Sequence, residues 1–407
     1  MAIVPNPWKG LAGLPRQAWI LFAVTLVNRC GTMVLPFLVL YIVRYVGFPA
    51  GRAGLAMTLY GVVALVAAPL SGRLCDRLGH LRVMKLSLFA SGAALLAFPL
   101  ARTWGSLLAA TAVLSFTTES FRPASLAVLA DLVPPERRKA LFALNRLAIN
   151  LGMSVGPAVG GFLATRSFRA LFVVDGTTSL LAGVVLTAFG AAAAPARAHR
   201  EAADGGAAPA PVKTSRPAHR DPRLLLFLAA AIPVGVVFFQ HATAMPLYLV
   251  RDLSLPESFY GLVFTVNTLM IVFLEVQINT STAHWRHGRT LALGAMLTAA
   301  GFGALALARG PWSVMATVVI WTFGEMILLP GMSAYAAEVA PAERRGEYMG
   351  LYSMAFGLAF TIAPWLGTEL LDRLGASALW GTMFALATVS AIAMSRLPSP
   401  PRHAPAR

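Results

Sequence analysis

Residues 121–161 read FRPASLAVLADLVPPERRKALFALNRLAINLGMSVGPAVGG, and residues 328–368 read LLPGMSAYAAEVAPAERRGEYMGLYSMAFGLAFTIAPWLGT. A shift of 207 residues lays one on the other. Pro123 falls on Pro330, Asp131 on Glu338, Pro134 on Pro341 and Glu136 on Glu343; Arg137 and Arg138 fall on Arg344 and Arg345, Pro157 on Pro364 and Gly160 on Gly367. Each stretch has one plan: an apolar run ends at an acid, a short loop carries proline and two arginines, and a second apolar run follows. The chain is an internal repeat whose unit is a set of apolar runs.

The same alternation extends in both directions. Of 407 residues, 57% are hydrophobic and 12% charged, about half the charged share of a soluble domain. A helix needs roughly 20 apolar residues to cross a hydrocarbon core of about 30 Å. Within lipid the backbone must satisfy its own hydrogen bonds, which leaves helices or closed barrels. The continuous runs exclude the alternating pattern of a barrel. Spans are predicted at 18–44, 53–73, 83–101, 105–131, 140–163, 170–190, 223–250, 258–283, 289–308, 312–338, 347–370 and 376–396. The predicted fold is an all-α membrane protein of twelve transmembrane helices. Its domains are an N-terminal six-helix bundle (1–190), a cytoplasmic linker (191–222) and a C-terminal six-helix bundle with a short tail (223–407). The linker contains AADGGAAPAPVKTSRP, too polar and too poor in large apolar groups to fold alone. Because the shift spans six helices, both halves keep one topology. This predicts a pseudo-two-fold along the membrane normal, the arrangement the major facilitator transporters exemplify, with a substrate site near the midplane.

The net charge of +16 follows that topology. With the N-terminus in the cytoplasm, 22 of the 33 Lys and Arg residues fall on the cytoplasmic side and eight on the other, as the positive-inside rule requires. The basic balance needs no nucleic-acid partner. Cys30 and Cys75 have no ligand-like or redox-like spacing and read as packing residues. The first apolar run is too long for the core of a signal peptide and reads as a retained span.

Two motifs carry a family resemblance. Between the second and third spans the chain reads GRLCDRLGHLR (72–82), similar to the G-x-L-x-D-R-x-G-R-[RK] loop of the major facilitator superfamily through Gly72, Asp76, Arg77 and Gly79. His80 replaces a usual basic residue. The resemblance implies a gating loop whose Asp76 engages the start of the eleventh helix near Glu347, and whose Arg77 has Asp131 as partner. The corresponding loop after Asn279, HWRHGR, lacks the aspartate. The fifth span reads GMSVGPAVGG (152–161) and matches the G-x-x-x-G-P-x-x-G-G pattern of drug:proton antiporters of the superfamily at Gly152, Gly156, Pro157, Gly160 and Gly161. Small residues let helices approach closely, and Pro157 can bend its helix. The resemblance implies a close-packed hinge that limits leak. The family's arginine early in the fourth helix has no counterpart between Ser106 and Leu114, since Arg122 sits later.

Five charges lie well inside the predicted spans: Arg29, Glu119, Arg122, Arg146 and Glu325. Each costs roughly 2.5–3.5 kcal/mol at a helix centre if unpaired. They must pair or face a wet cavity. The family's cavity helices are the first, fourth, seventh and tenth. Here these carry Arg29, Glu119 with Arg122, Gln240 with His241, and Glu325. Burial disfavours a charged carboxylate and a neighbouring arginine favours it, so a carboxyl balanced between the two can load and release a proton. Arg29, Glu119, Arg122, His241 and Glu325 are the expected proton-coupling and cavity residues, with Glu119 or Glu325 as carrier and a static ion pair as the alternative. Arg146 reads as a latch or rim partner, and Glu275 as a packing or gating residue. Asp175 is left without a role. Which aromatics line a pocket is not readable in helices that are apolar all round.

No HExxH, GxSxG or Walker lysine is present, so catalytic residues, a metal and cofactors are not expected. The resemblance implies a bacterial inner-membrane permease with cytoplasmic termini, acting as a monomer on a small-molecule substrate and protons in the lipid bilayer. The expected activity is proton-coupled export of amphipathic molecules. The alternative is an uptake symporter for a sugar, peptide or organic acid.

Overall fold

The computed structural model describes residues 13–133, 135–190, 217–282, 284–341 and 344–398. Most of the predicted linker, 191–216, lies outside the described residues, as does Pro134. The helices are α1 (Arg16–Gly31), α2 (Val34–Leu40), α3 (Ala50–Leu78), α4 (His80–Ala97), α5 (Trp104–Glu119), α6 (Phe121–Leu132), α7 (Pro135–Arg166) and α8 (Phe168–Gly190). Then come α9 (Pro222–Phe238), α10 (Ala244–Leu247), α11 (Glu257–Thr282), α12 (His287–Ala304), α13 (Pro311–Val339) and α14 (Arg345–Ser395). The all-α prediction holds. The predicted number of spans does not: among the described residues, ten helical stretches are long and apolar enough to cross a membrane, not twelve.

The difference has two local causes. The predicted span 105–131 is divided at Ser120 into helices of 16 and 12 residues. The Ser120 hydroxyl donates to the Phe116 carbonyl at 2.6 Å and accepts from Ser71 at 2.6 Å. A serine bonding back to the preceding turn bends a helix. The predicted eleventh and twelfth spans are one 51-residue element, α14, whose helical angles fail at Gly375 (φ 80°, ψ 176°). Only glycine adopts such a backbone readily.

The repeat is sharper in the structure than in the letters. Adding 207 to the starts at Ala50, His80, Phe98 and Trp104 gives the starts at Glu257, His287, Leu305 and Pro311; adding it to the ends at Ala97, Leu100 and Leu132 gives Ala304, Leu307 and Val339. Two π-helical turns, Tyr41–Val46 and Tyr248–Asp252, begin at the same offset and carry Arg44 and Arg251 in register. Each is followed by a positive φ, at Gly47 (90°) and Ser254 (53°).

The described residues of Met1–Leu35 and Val66–Ala208 form one compact unit, and those of Pro36–Leu65 and Pro209–Arg407 a second. In the first, α1 packs on α7 and α8, and α4 packs on α8, α5 and α6. In the second the same scheme returns, with α9 on α14 and α12 on α13 and α14. The first unit's core joins Leu21 and Val24 of α1 to Met84 and Leu88 of α4 and Leu144 of α7, with Cys75 packed into it. Large apolar side chains such as Phe162, Phe273 and Val276 are 53%, 66% and 71% exposed, a surface made for lipid rather than water.

Helix ends are closed locally. Thr103 and Ser106 cap α5 reciprocally. Asp221 accepts from the Arg223 amide at 2.9 Å, ahead of Pro222 at the first position of α9. Tyr248, buried in the π-helical turn, donates its hydroxyl to the Leu305 carbonyl at 2.7 Å and lies 3.2 Å from that of Ala308. It ties the end of the α9–α10 segment to the end of α12. Tyr248→Phe is expected to cost about 1–3 kcal/mol, the penalty for buried acceptors left without a donor. A detergent-solubilised melting curve checks this, with a lowered midpoint as the expected result.

Candidate functional site

In the second unit α11 and α13 are joined by a polar layer. Asn267 on α11 donates Nδ2 to Glu325 Oε2 at 2.7 Å and to Thr322 Oγ1 at 3.1 Å on α13. Three turns further along α11, Asn279 donates to the Met326 carbonyl at 3.3 Å. Glu325 is half-buried and Asn267 buried. Glu275, also on α11, lies within electrostatic range of Glu325.

One turn before this layer lies an aromatic one. Phe264 is three residues before Asn267, and Trp321 four before Glu325, so each shares a face with its polar neighbour. His241 sits between them, its ring centroid 5.6 Å from Phe264 and 6.1 Å from Trp321, with Phe238 at 4.7 Å. Phe239 extends the cluster to Phe356 and Phe360 at 4.9 and 5.0 Å. His241 Nδ1 donates to the Phe238 carbonyl at 2.7 Å, which leaves Nε2 as acceptor in the neutral ring. Its own carbonyl accepts from Tyr260 at 2.9 Å. These contacts exist because α9 stops at Phe238 and a 3-10 turn, Phe239–Ala242, replaces it. Gln240, fully buried in that turn, donates to the carbonyls of Ala363 and Val236 at 3.0 and 3.2 Å.

The remaining expected site residues lie in the first unit. Arg29 stands in the last turn of α1, where Gly152 and Gly156 of α7 meet it. A Cβ on Gly156 would lie 2.9 Å from the Arg29 carbonyl oxygen, and one on Gly152 would run into Arg29 itself. Pro157, Gly160 and Gly161 are buried along the same helix. Glu119 is half-buried at the end of α5, and Arg122 is exposed beyond the Ser120 break. Arg146 is exposed on α7. In the gating loop, Asp76 and Arg77 are exposed in the last turn of α3, Gly72 is half-buried, and Gly79 turns the chain into α4 with φ 87°. Asp131 belongs to α6, but its side chain lies outside the described residues.

Residues that the sequence reading passed over form ion pairs in the second unit. Arg44 meets Glu257 at 2.6 Å, and Arg251 meets Asp252 and Asp372, each at 2.7 Å. Arg44 and Arg251 are the repeat-related arginines of the two π-helical turns. Their signal in the sequence is the pair YIVR (41–44) and YLVR (248–251). Asn267 gave less warning, because a neutral amide does not stand out in an apolar run as a charge does. Among the described residues no group of His, Cys, Asp or Glu is placed to hold a metal ion.

The profile of the Major Facilitator Superfamily matches residues 21–256 and 241–407. The chain belongs to that superfamily. It is similar to an uncharacterised transporter of the superfamily from Bacillus subtilis, YqjV, with 24% identity over 96% of this chain and 93% of that one. It is similar also to a Na(+), Li(+), K(+)/H(+) antiporter of Planococcus maritimus, with 24% identity over 83% of this chain and 85% of that one. Among solved structures, it resembles a POT family transporter in complex with 5-aminolevulinic acid, with a TM-score of 0.80, 15% identity and coverage of 95% and 96%. A D-xylose-proton symporter gives a TM-score of 0.68, 16% identity and coverage of 94% and 97%. This superfamily member is therefore a membrane-embedded transporter with a small-molecule substrate. Its matches extend well beyond drug:proton antiporters, so the resemblance read from the fifth helix was narrower than the relationship.

Proposed function

We propose that the protein is a proton-coupled secondary transporter of small organic solutes that carry an apolar or aromatic portion, with Glu325 as the proton carrier. The observation that carries this reading is the pairing of layers on α11 and α13. A half-buried carboxyl held by one amide donor lies one helical turn from the His241–Phe264–Trp321 cluster. The carboxyl can exchange a proton or meet a cationic group, while the rings supply apolar contact area. Arg29, Glu119 and Arg122 are proposed as further proton-coupling residues within the first unit. The loop of Gly72, Asp76, Arg77, Gly79 and Asp131 is proposed to gate the cytoplasmic side. The lysine and arginine distribution supports cytoplasmic termini.

Coupling by symport, with solute taken up, is the first reading. The solved structures of like fold support it over export, since one is a D-xylose-proton symporter. Export by antiport is the second. It is supported by the full motif at Gly152, Gly156, Pro157, Gly160 and Gly161 and by the likeness to a cation/proton antiporter. The sign of proton movement separates them. In proteoliposomes with a pH-reporting dye inside and the membrane potential clamped, solutes from a panel of sugars, peptides and aromatic cations are added outside. Acidification of the lumen as solute enters is the expected result. Alkalinisation would move the assignment to antiport, and solute entry without proton movement would remove the coupling.

A further inference from the structure

Asp175, a buried carboxyl on α8 with an exposure of 7%, takes no part in the proposed coupling at Glu325. It sits where the first transmembrane segment breaks. Helix α1 ends at Gly31, Thr32 leaves the helical region (ψ 76°), and α2 starts at Val34. The amides of Met33 and Val34, at the restart, both donate to Asp175 Oδ2, at 3.1 and 3.0 Å. The break is enclosed on two sides. On α8, Thr178 packs against Gly31, and Ser179 accepts from Asn28 at 3.4 Å. On α7, a Cβ at Gly156 would lie 2.9–3.2 Å from the carbonyl oxygens of Arg29, Cys30 and Thr32.

The repeat supplies a comparison within the chain. The position related to Met33 is Gln240, in the corresponding break between α9 and α10. There the side-chain amide closes the break, donating to Val236 and Ala363 and accepting from Thr243 at 3.0 Å. That closure is neutral at every pH. The closure at Met33–Val34 is a carboxylate, and hydrogen bonds to an ionised acceptor are roughly twice as strong as neutral ones.

We propose that Asp175 is a proton-linked positioning residue: its carboxylate holds the break in the first transmembrane segment, and its protonation loosens that break. Charge in α8 thereby sets the geometry of the segment that carries Arg29. The charge facing Asp175 from α1 is Arg29. The charges of α4, namely His80, Arg82 and Lys85, occupy its first two turns, beside the far end of the antiparallel α8. On α7, Arg166 lies over the ring of Phe162 at 4.4 Å and Arg137 donates to the Gly13 carbonyl at 2.6 Å, while Arg138 and Arg146 are exposed in its first half. Arg169 stands six residues earlier on α8 itself. Arg29 is thus the charge poised to compete for the carboxylate or to be released with it.

The inference rests on the proton-coupled reading only for its physiological trigger, because its test involves no transport. Hydrogen exchange of the full chain in lipid nanodiscs is followed by mass spectrometry on peptides spanning Met33 and Val34, from acid to neutral pH, with rates corrected for intrinsic exchange. The wild type is expected to lose protection at these two amides by about tenfold or more on the acid side, in a single-proton transition, as charge-assisted bonds are lost. Asp175→Asn is expected to show no transition, and Glu325→Gln to keep it. A flat wild-type profile overturns the proposal without recourse to any variant. So does a transition that survives in Asp175→Asn, or one abolished by Glu325→Gln, which would make the break answer to the proton at Glu325 instead. Unchanged exchange in α4 peptides from Val83 to Leu88 verifies that each variant is folded.

Discussion

Glu325→Gln is expected to abolish proton-driven accumulation completely while leaving exchange of labelled for unlabelled solute in place. Asn267 donates to Glu325 Oε2 at 2.7 Å, and a glutamine carbonyl oxygen can accept that bond at the same place. Shape, the link between α11 and α13, and the adjoining Trp321 face are therefore conserved. What disappears is the capacity to change charge. A transporter that must load a proton to complete its return step then stalls, whereas solute exchange needs no net proton movement. If Glu325 served only as a static partner holding two helices together, the glutamine would preserve both activities. Asn267→Ala is the complementary case. It leaves the carboxyl titratable but without its amide donor, and is expected to keep coupling while shifting its pH dependence. The measurement is a pair of assays on one proteoliposome preparation, pH-gradient-driven uptake and counterflow. Equal loss of both in Glu325→Gln would assign Glu325 to substrate binding rather than to the proton. Glu119→Gln is expected to have the smaller effect, since Glu119 ends α5 beside the Ser120 break and lies outside the α11–α13 layers.

Much of the fold could be read because membrane helices are selected for length and apolarity, and both are visible in letters. The offset of 207, first seen in PPERR and PAERR, returns in helix starts at Ala50 and Glu257 and at His80 and His287. The reading failed where a single residue redirects a continuous apolar run. At Ser120 one hydroxyl competes with the helix, dividing what reads as one span. At Gly375 one left-handed glycine turns the chain so tightly that helix continues on either side. Neither event alters hydropathy, which is why twelve was predicted and ten found. The site was legible only as a set of charges. Glu325, His241 and Gln240 drew attention through their polarity in apolar runs. Their neighbours Phe264 and Trp321 did not, because a helix apolar on every side has no periodicity to show which face meets a pocket. Asp175 was visible but had no assignable role, since its partners are backbone amides at a break that only coordinates reveal.

A large effect on the folded state is expected at Gly156. A Cβ there would lie 2.9 Å from the Arg29 carbonyl oxygen, 3.0 Å from that of Cys30 and 3.2 Å from that of Thr32. Real Cβ atoms essentially never show the first of these separations and rarely the other two, and here the obstacles are three backbone atoms, which cannot rotate aside as a flexible side chain would. Even Gly156→Ala must push α7 away from α1. Inserting one methyl group into a packed interface costs about 1–3 kcal/mol, and Gly156→Leu is expected to leave no monodisperse protein at all. Gly72 provides the control, because nothing lies within 4 Å of its Cβ position and it sits inside α3. Gly72→Ala is expected to be neutral or slightly stabilising, as alanine is favoured over glycine within a helix by up to about 1 kcal/mol. Melting midpoints and elution profiles in detergent test both. A Gly156→Ala protein as stable as Gly72→Ala would mean that α1 and α7 do not meet at this distance. The contact also gives the glycine pattern its physical reason. The first transmembrane segment breaks just after Arg29, the broken backbone needs a neighbour without side chains, and glycines four residues apart on α7 present such a face twice in succession. Loosening that face would loosen the segment Asp175 caps from its other side, so a Gly156→Ala protein is expected to lose amide protection at Met33 and Val34 at neutral pH as well.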